Sequence, residues 1–85
     1  MNLKLGEWNE LIEHGNKCCD ALKIFTGHDV RLKPYTMSDG SKGLSIQVLD
    51  AFGEVFAEYR SGIDTYENMK AMINKISARI HVEFG

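Results

Sequence analysis

The spacing of apolar residues changes twice along this chain, from a helical repeat to alternation and back, and that change limits the folds open to it. From Glu7 to about Lys23, a turn of about 100° per residue puts Trp8, Leu11, Ile12, Gly15, Cys19 and Leu22 on one face. Asn9, Glu10, Glu13, Lys17 and Asp20 take the other. The spacing predicts an amphipathic helix. Gly15 and Asn16 both suit helix termini, so one long helix and two short ones both fit. Ile24 points off the stripe, and Gly27 is a stop signal.

Alternation follows. Val30 and Leu32 alternate with Arg31 and Lys33, but the phase shifts at Pro34, after which Tyr35 and Met37 lead. A proline has no N–H for the ladder, so this strand is expected at a sheet edge or at a bulge. Ser38 to Gly43 reads as a hairpin loop, and Leu44, Ile46 and Val48 define the inward face of a second strand. Asp50-Ala51-Phe52-Gly53 fits a tight turn. A third strand places Val55, Ala57 and Tyr59 inward and Glu54, Phe56, Glu58 and Arg60 outward.

The helical period then returns, with Tyr66, Met69, Met72, Ile73, Ile76 and Ile80 on one stripe. Asp64 with Glu67 resembles a capping box at its start. The tail from His81 to Gly85 alternates, which suits a frayed end or a short extended arm.

The expected fold is a two-layer α+β domain spanning residues 1–85: helix, three-stranded antiparallel meander, helix, with both helices on one sheet face. Its expected core is Trp8, Leu11, Ile12, Cys19, Leu22, Val30, Leu32, Leu44, Ile46, Val48, Val55, Ala57, Tyr59, Met69, Ile73, Ile76 and Ile80. The uncovered sheet face would be mostly polar, with Leu49 and Phe56 as apolar exceptions.

The 85 residues carry a formal net charge of −2, and acids and bases are near balance in each third of the chain. A nucleic-acid binder normally shows a basic footprint, which this chain lacks in bulk. Cys18 and Cys19 are adjacent and have no other thiol to pair with. No apolar run approaches membrane-spanning length and no signal pattern opens the chain, so a cytoplasmic protein that does not enter membranes is expected.

No constellation of residues points to chemistry. His14 and Cys18 lie four apart, but two ligands do not make a zinc site. Cys19 lies on the apolar stripe, where burial raises a thiol pKa and blunts its reactivity. Glu54 and Glu58 alternate with Phe56 and Arg60, without a cleft to separate their pKa values. The loop at Ser38–Gly43 lacks the strand-to-helix context of a phosphate-binding loop. No enzyme activity, metal or cofactor is expected.

The order of elements resembles that of double-stranded-RNA-binding domains over nearly the whole chain. That resemblance implies phosphate and 2′-hydroxyl contacts, with basic residues at the start of the last helix. Here Asp64-Thr65-Tyr66-Glu67-Asn68 stands at that position, and Lys70 is the first base. Arg31, Lys33, Lys42 and Arg60 are the candidates for a nucleic-acid patch.

Contact with another protein is the leading expectation. Phe56 and Leu49 on the uncovered face, flanked by Glu54, Glu58 and Arg60, are the candidate contact residues, with Tyr35 at the proline-marked edge. Phe84, Leu3 or Leu5 would be positioned to cover Phe56 instead. Phe52 sits at a turn apex, where a ring is costly to expose unless it folds back. Small size, mild acidity and the lack of chemistry resemble short phage- or mobile-element-encoded inhibitors, including anti-CRISPR proteins. The partner implied is a host protein with a basic nucleic-acid-binding groove, and homodimerisation is compatible.

Overall fold

A computed structural model describes residues 3–40, 42–62 and 65–85. The elements run α1 (Leu5–Thr26), β1 (Asp29–Thr36), β2 (Lys42–Leu49), β3 (Val55–Ser61) and α2 (Tyr66–Phe84). The sheet is antiparallel with β2 in the centre, a small α+β fold of the expected order. One apolar cluster joins the layers, with Leu11, Cys19 and Leu22 from α1, Val30, Leu44, Ile46 and Val48 from the sheet, and Met69, Ile73, Ile76 and Ile80 from α2.

α1 is unbroken and longer than the periodicity suggested. Gly15 is buried inside it rather than ending it. A methyl group built on Gly15 would lie 2.6 Å from the Leu32 side chain, so the glycine is where α1 closes on β1. A mid-helix glycine costs about 1 kcal/mol relative to alanine, and here the close approach offsets it. The helix stops as expected. Gly27 takes the left-handed conformation at φ 75°, and its N–H donates to the Lys23 carbonyl at 3.0 Å.

Two further expectations move. α2 begins from Thr65, whose hydroxyl accepts from the Asn68 N–H at 3.2 Å. The box expected at Asp64 falls outside the described residues, as does Ser41 of the first hairpin loop. At the other end the tail is neither frayed nor extended, because α2 continues to Phe84.

β1 is an edge strand, as its proline implied, but its register with β2 is unbroken through the Pro34–Leu44 pair. The irregularity lies in β3 instead. Val48 pairs with Ala57 and Leu49 with Val55, leaving Phe56 as the extra residue of a bulge. Alternation predicted Val55 in the core, whereas it is half exposed, and Leu49, expected on an open face, is only 4 % exposed.

Both helices run in the same direction. Midway along the pair, His14 Nε2 donates to Asn74 Oδ1 at 2.7 Å, and near the end Phe25 stacks on His81 at 3.7 Å. Parallel helices bring both C-termini to the end of the molecule that also holds the start of β1 and the β2–β3 turn. Gly15→Leu will force a side chain into the space Leu32 occupies, at a cost of about 1–3 kcal/mol from overpacking. Urea unfolding measures this, and unchanged stability would mean that the approach of α1 to β1 is not constraining.

Candidate interaction surfaces

The uncovered sheet face is ordered by Glu58. Its Oε2 accepts from Ser45 Oγ at 3.0 Å and Gln47 Nε2 at 2.6 Å, and its Oε1 accepts from Arg60 Nε at 2.8 Å. These donors, Gln47 first and Ser45 next, hold the carboxyl below its ordinary value of 4.5. Tyr35 lies across Gly43 and donates its hydroxyl to the Ser61 carbonyl at 3.2 Å, while the Arg60 guanidinium sits 5.6 Å from its ring. Gly43 is thus a strand position where a Cβ would meet both the tyrosine ring and the Ser61 backbone. A groove of about 750 Å³ runs along β1 here, lined in part by Lys33, Pro34, Tyr35, Met37 and Arg60. Ser45, Gln47 and Arg60 within it already donate to Glu58.

Three of the basic candidates, Arg31, Lys33 and Arg60, share the open sheet face, but two of them are neutralised there. Arg31 is tied to Asp29 at 2.9 Å and Arg60 to Glu58. Lys42 shares the parity of Leu44 and Ile46, so it points to the helix side, where its Nζ lies 5.9 Å from the Trp8 ring. Lys33 and Arg60 both line the groove, opposite each other across Ser45. At the start of α2, Lys70 reaches back over Tyr66 beside Glu67.

Cys19 is buried, and desolvation first, then the Cys18 sulfur, pushes its thiol up to about 12. Cys18 Sγ lies 3.8 Å from His14 Nε2, which is already engaged with Asn74. Among the described residues, no three His, Cys, Asp or Glu side chains are grouped to hold a metal. No helix among them is long and apolar enough to cross a membrane.

The apolar surface lies elsewhere. Glu54 belongs to the β2–β3 turn, not to the sheet face, and its N–H donates to Asp50 Oδ1 at 3.0 Å. The same oxygen accepts from the Phe52 N–H at 2.8 Å, and Gly53 closes the turn at φ 82°. Phe52 at the apex does not fold back and is 91 % exposed. Next to the turn, the bulge aims Phe56 at the end of α2, where its ring meets Phe84 and His28, each at 5.3 Å. Phe84 therefore covers Phe56 in part and leaves it half exposed. Ile24, Phe25 and Val82 belong to the last turns of the two helices, and Ile24 is 89 % exposed. Six of the nine exposed large apolar side chains among the described residues thus belong to this one end: Ile24, Phe25, Phe52, Val55, Phe56 and Val82.

Of the residues singled out by sequence, Glu58, Arg60 and Tyr35 come together on the sheet face. Phe56 and Glu54 belong to the apolar end, and Leu49 is buried. Ile24, Phe25 and Val82 were missed as contact residues, although the departure of Ile24 from the stripe was a usable signal. The chain matches no known family model, curated protein or solved structure.

Two carboxylates make the fold sensitive to acid. Arg79 first and Tyr59 next hold Glu83 below its ordinary 4.5, as the Gln47 and Ser45 donors do Glu58. Folded values below unfolded ones contribute stability that is present above 4.5 and lost as pH falls through the lower folded values. Melting temperatures measured down to about pH 3 will fall in that window, and combining Glu58→Gln with Glu83→Gln will flatten the fall. An undiminished slope in the double variant would assign the acid sensitivity to other groups.

Proposed function

We propose that the chain is a non-catalytic protein-binding module that works by surface contact through the end where both helices finish. The observation that carries this reading is the gathering of Phe52, Ile24, Val82 and their neighbours at one end of so small a molecule. Exposed apolar patches of this kind mark interaction sites, and aromatic rings are the usual anchors. The sheet face supports the reading less well, since its carboxylate already accepts from Gln47 and Arg60 and its tyrosine donates to the Ser61 carbonyl. A module of this kind inhibits when its partner needs the surface it covers, and the mild acidity of the chain suits a basic host surface.

The test uses two residues with no packing role. Ile24→Asp combined with Phe52→Asp should leave the melting temperature close to that of the parent, because both side chains are almost wholly exposed. Immobilised parent protein should retain a partner from host extract that the double variant loses, whereas Lys33→Glu on the sheet face should keep it. The opposite pattern, with capture lost only in the sheet-face variant, would move the interface to the groove.

A further inference from the structure

We infer that the occupant of the apolar end is a cationic amphipathic helix of the partner protein, an inference that rests on the protein-binding reading above. The charges of the chain, near balance along the sequence, are not balanced in space. Asp20, Asp29, Asp50, Glu54 and Glu83 belong to the segments that meet at this end, against Lys23, Arg31 and Arg79. Five acids against three bases leave it two charges negative, the net charge of the entire chain.

The bases at this end are already committed. Lys23 lies 3.7 Å from Asp20 and 3.8 Å from Asp29, Arg31 is held by Asp29, and Arg79 by Glu83 at 2.8 Å. Asp50 and Glu54, on either side of the exposed Phe52 ring, have no cation partner among the described residues. Both helices also end here, and each helix C-terminus carries a partial negative charge of about half a unit.

An end that is both apolar and net acidic selects its occupant by exclusion. A second copy would bring the same excess of acids and the same helix ends against themselves. An anionic lipid surface or a nucleic acid would be repelled likewise. A segment presenting an apolar row flanked by lysine or arginine satisfies both features. The molecule measures 36 × 24 × 17 Å, and its parallel helices lie along the long axis. A helix rising 1.5 Å per residue crosses a 24 Å end in about 16 residues, which makes a single amphipathic helix a fitting size.

Two synthetic peptides test this. They share one helical leucine stripe and differ only in carrying lysine or glutamate on the other face. Fluorescence polarisation with the intact protein should show the lysine peptide binding at least about tenfold tighter at low salt, with the gap closing as salt rises. Amide shifts on binding should centre on Phe52, Phe56 and His81, and Ile24→Asp with Phe52→Asp should abolish them. Glu54→Lys should narrow the preference between the peptides. Equal affinities at this end would overturn the cationic occupant yet leave the contact reading standing. Shifts centred on the sheet groove, or no binding of either peptide while Phe52-dependent capture persists, would overturn it too. Self-association of the parent through this end, seen by sedimentation, would replace the helix with a second copy. Loss of Phe52 dependence in capture would instead count against the contact reading itself.

Discussion

The close approach of α1 to β1 at Gly15 and Leu32 sets how the helix layer sits on the sheet. With any side chain at Gly15, the helix would have to stand off from the sheet or Leu32 would have to move. Held there, α1 carries Leu11, Cys19 and Leu22 onto the inward faces of β1 and β2, and α2 fills the space beside it over β3. The Tyr59 hydroxyl then donates to Glu83 at 2.6 Å, tying the last turn of α2 to the outer strand. The chain's order makes the two helices parallel, and parallel helices must finish together. The apolar end is a consequence of that topology.

A bulge decides what the end presents. Without it, Phe56 would alternate outward with Glu58 and Arg60 and stand on the polar face. One extra residue between the partners of Val48 and Leu49 turns it toward Phe84 and His28 instead. The same extra residue takes Val55 out of the core. Phe84 can meet it only because α2 extends through His81 to the end of the tail. Strand irregularity and helix length therefore combine to build one aromatic cluster from the end of α2, the start of β3 and the loop before β1.

The helices, the edge strand and the Asp50–Gly53 turn were legible in the sequence because each rests on a local rule: stripe period, missing proline N–H, turn chemistry. What was not legible depends on more than local spacing. Counting by twos assumes an unbroken ladder, so it fails at Val55 beside the bulge, which is half exposed, while the burial of Leu49, whose register with β1 is unbroken, has no local signal at all. Gly15 was ambiguous because the contact that explains it is with Leu32, a residue far along the chain. Lys42 shares its parity with the inward residues of β2, yet lysine at a strand end reads as surface until Trp8 is seen beneath it. The concentration of charge was hidden for the same reason, since the five acids come from separate elements that only the fold assembles.

Phe52 is the residue for which the fold supplies no reason. The turn that carries it is secured by Asp50 Oδ1, which accepts from the N–H groups of residues 52 and 54, and by the positive φ of Gly53. Backbone groups make those bonds, so serine or asparagine at position 52 would close the same turn. Nor does the core need the ring, which is almost wholly exposed. A phenylalanine required by neither turn nor packing adds an apolar surface on a support that needs little further ordering to bind. Preorganisation of that kind lowers the entropic cost of association. Its physical rationale therefore lies in what the ring touches outside the chain, beside Glu54 and at the end where both helices present their carbonyls.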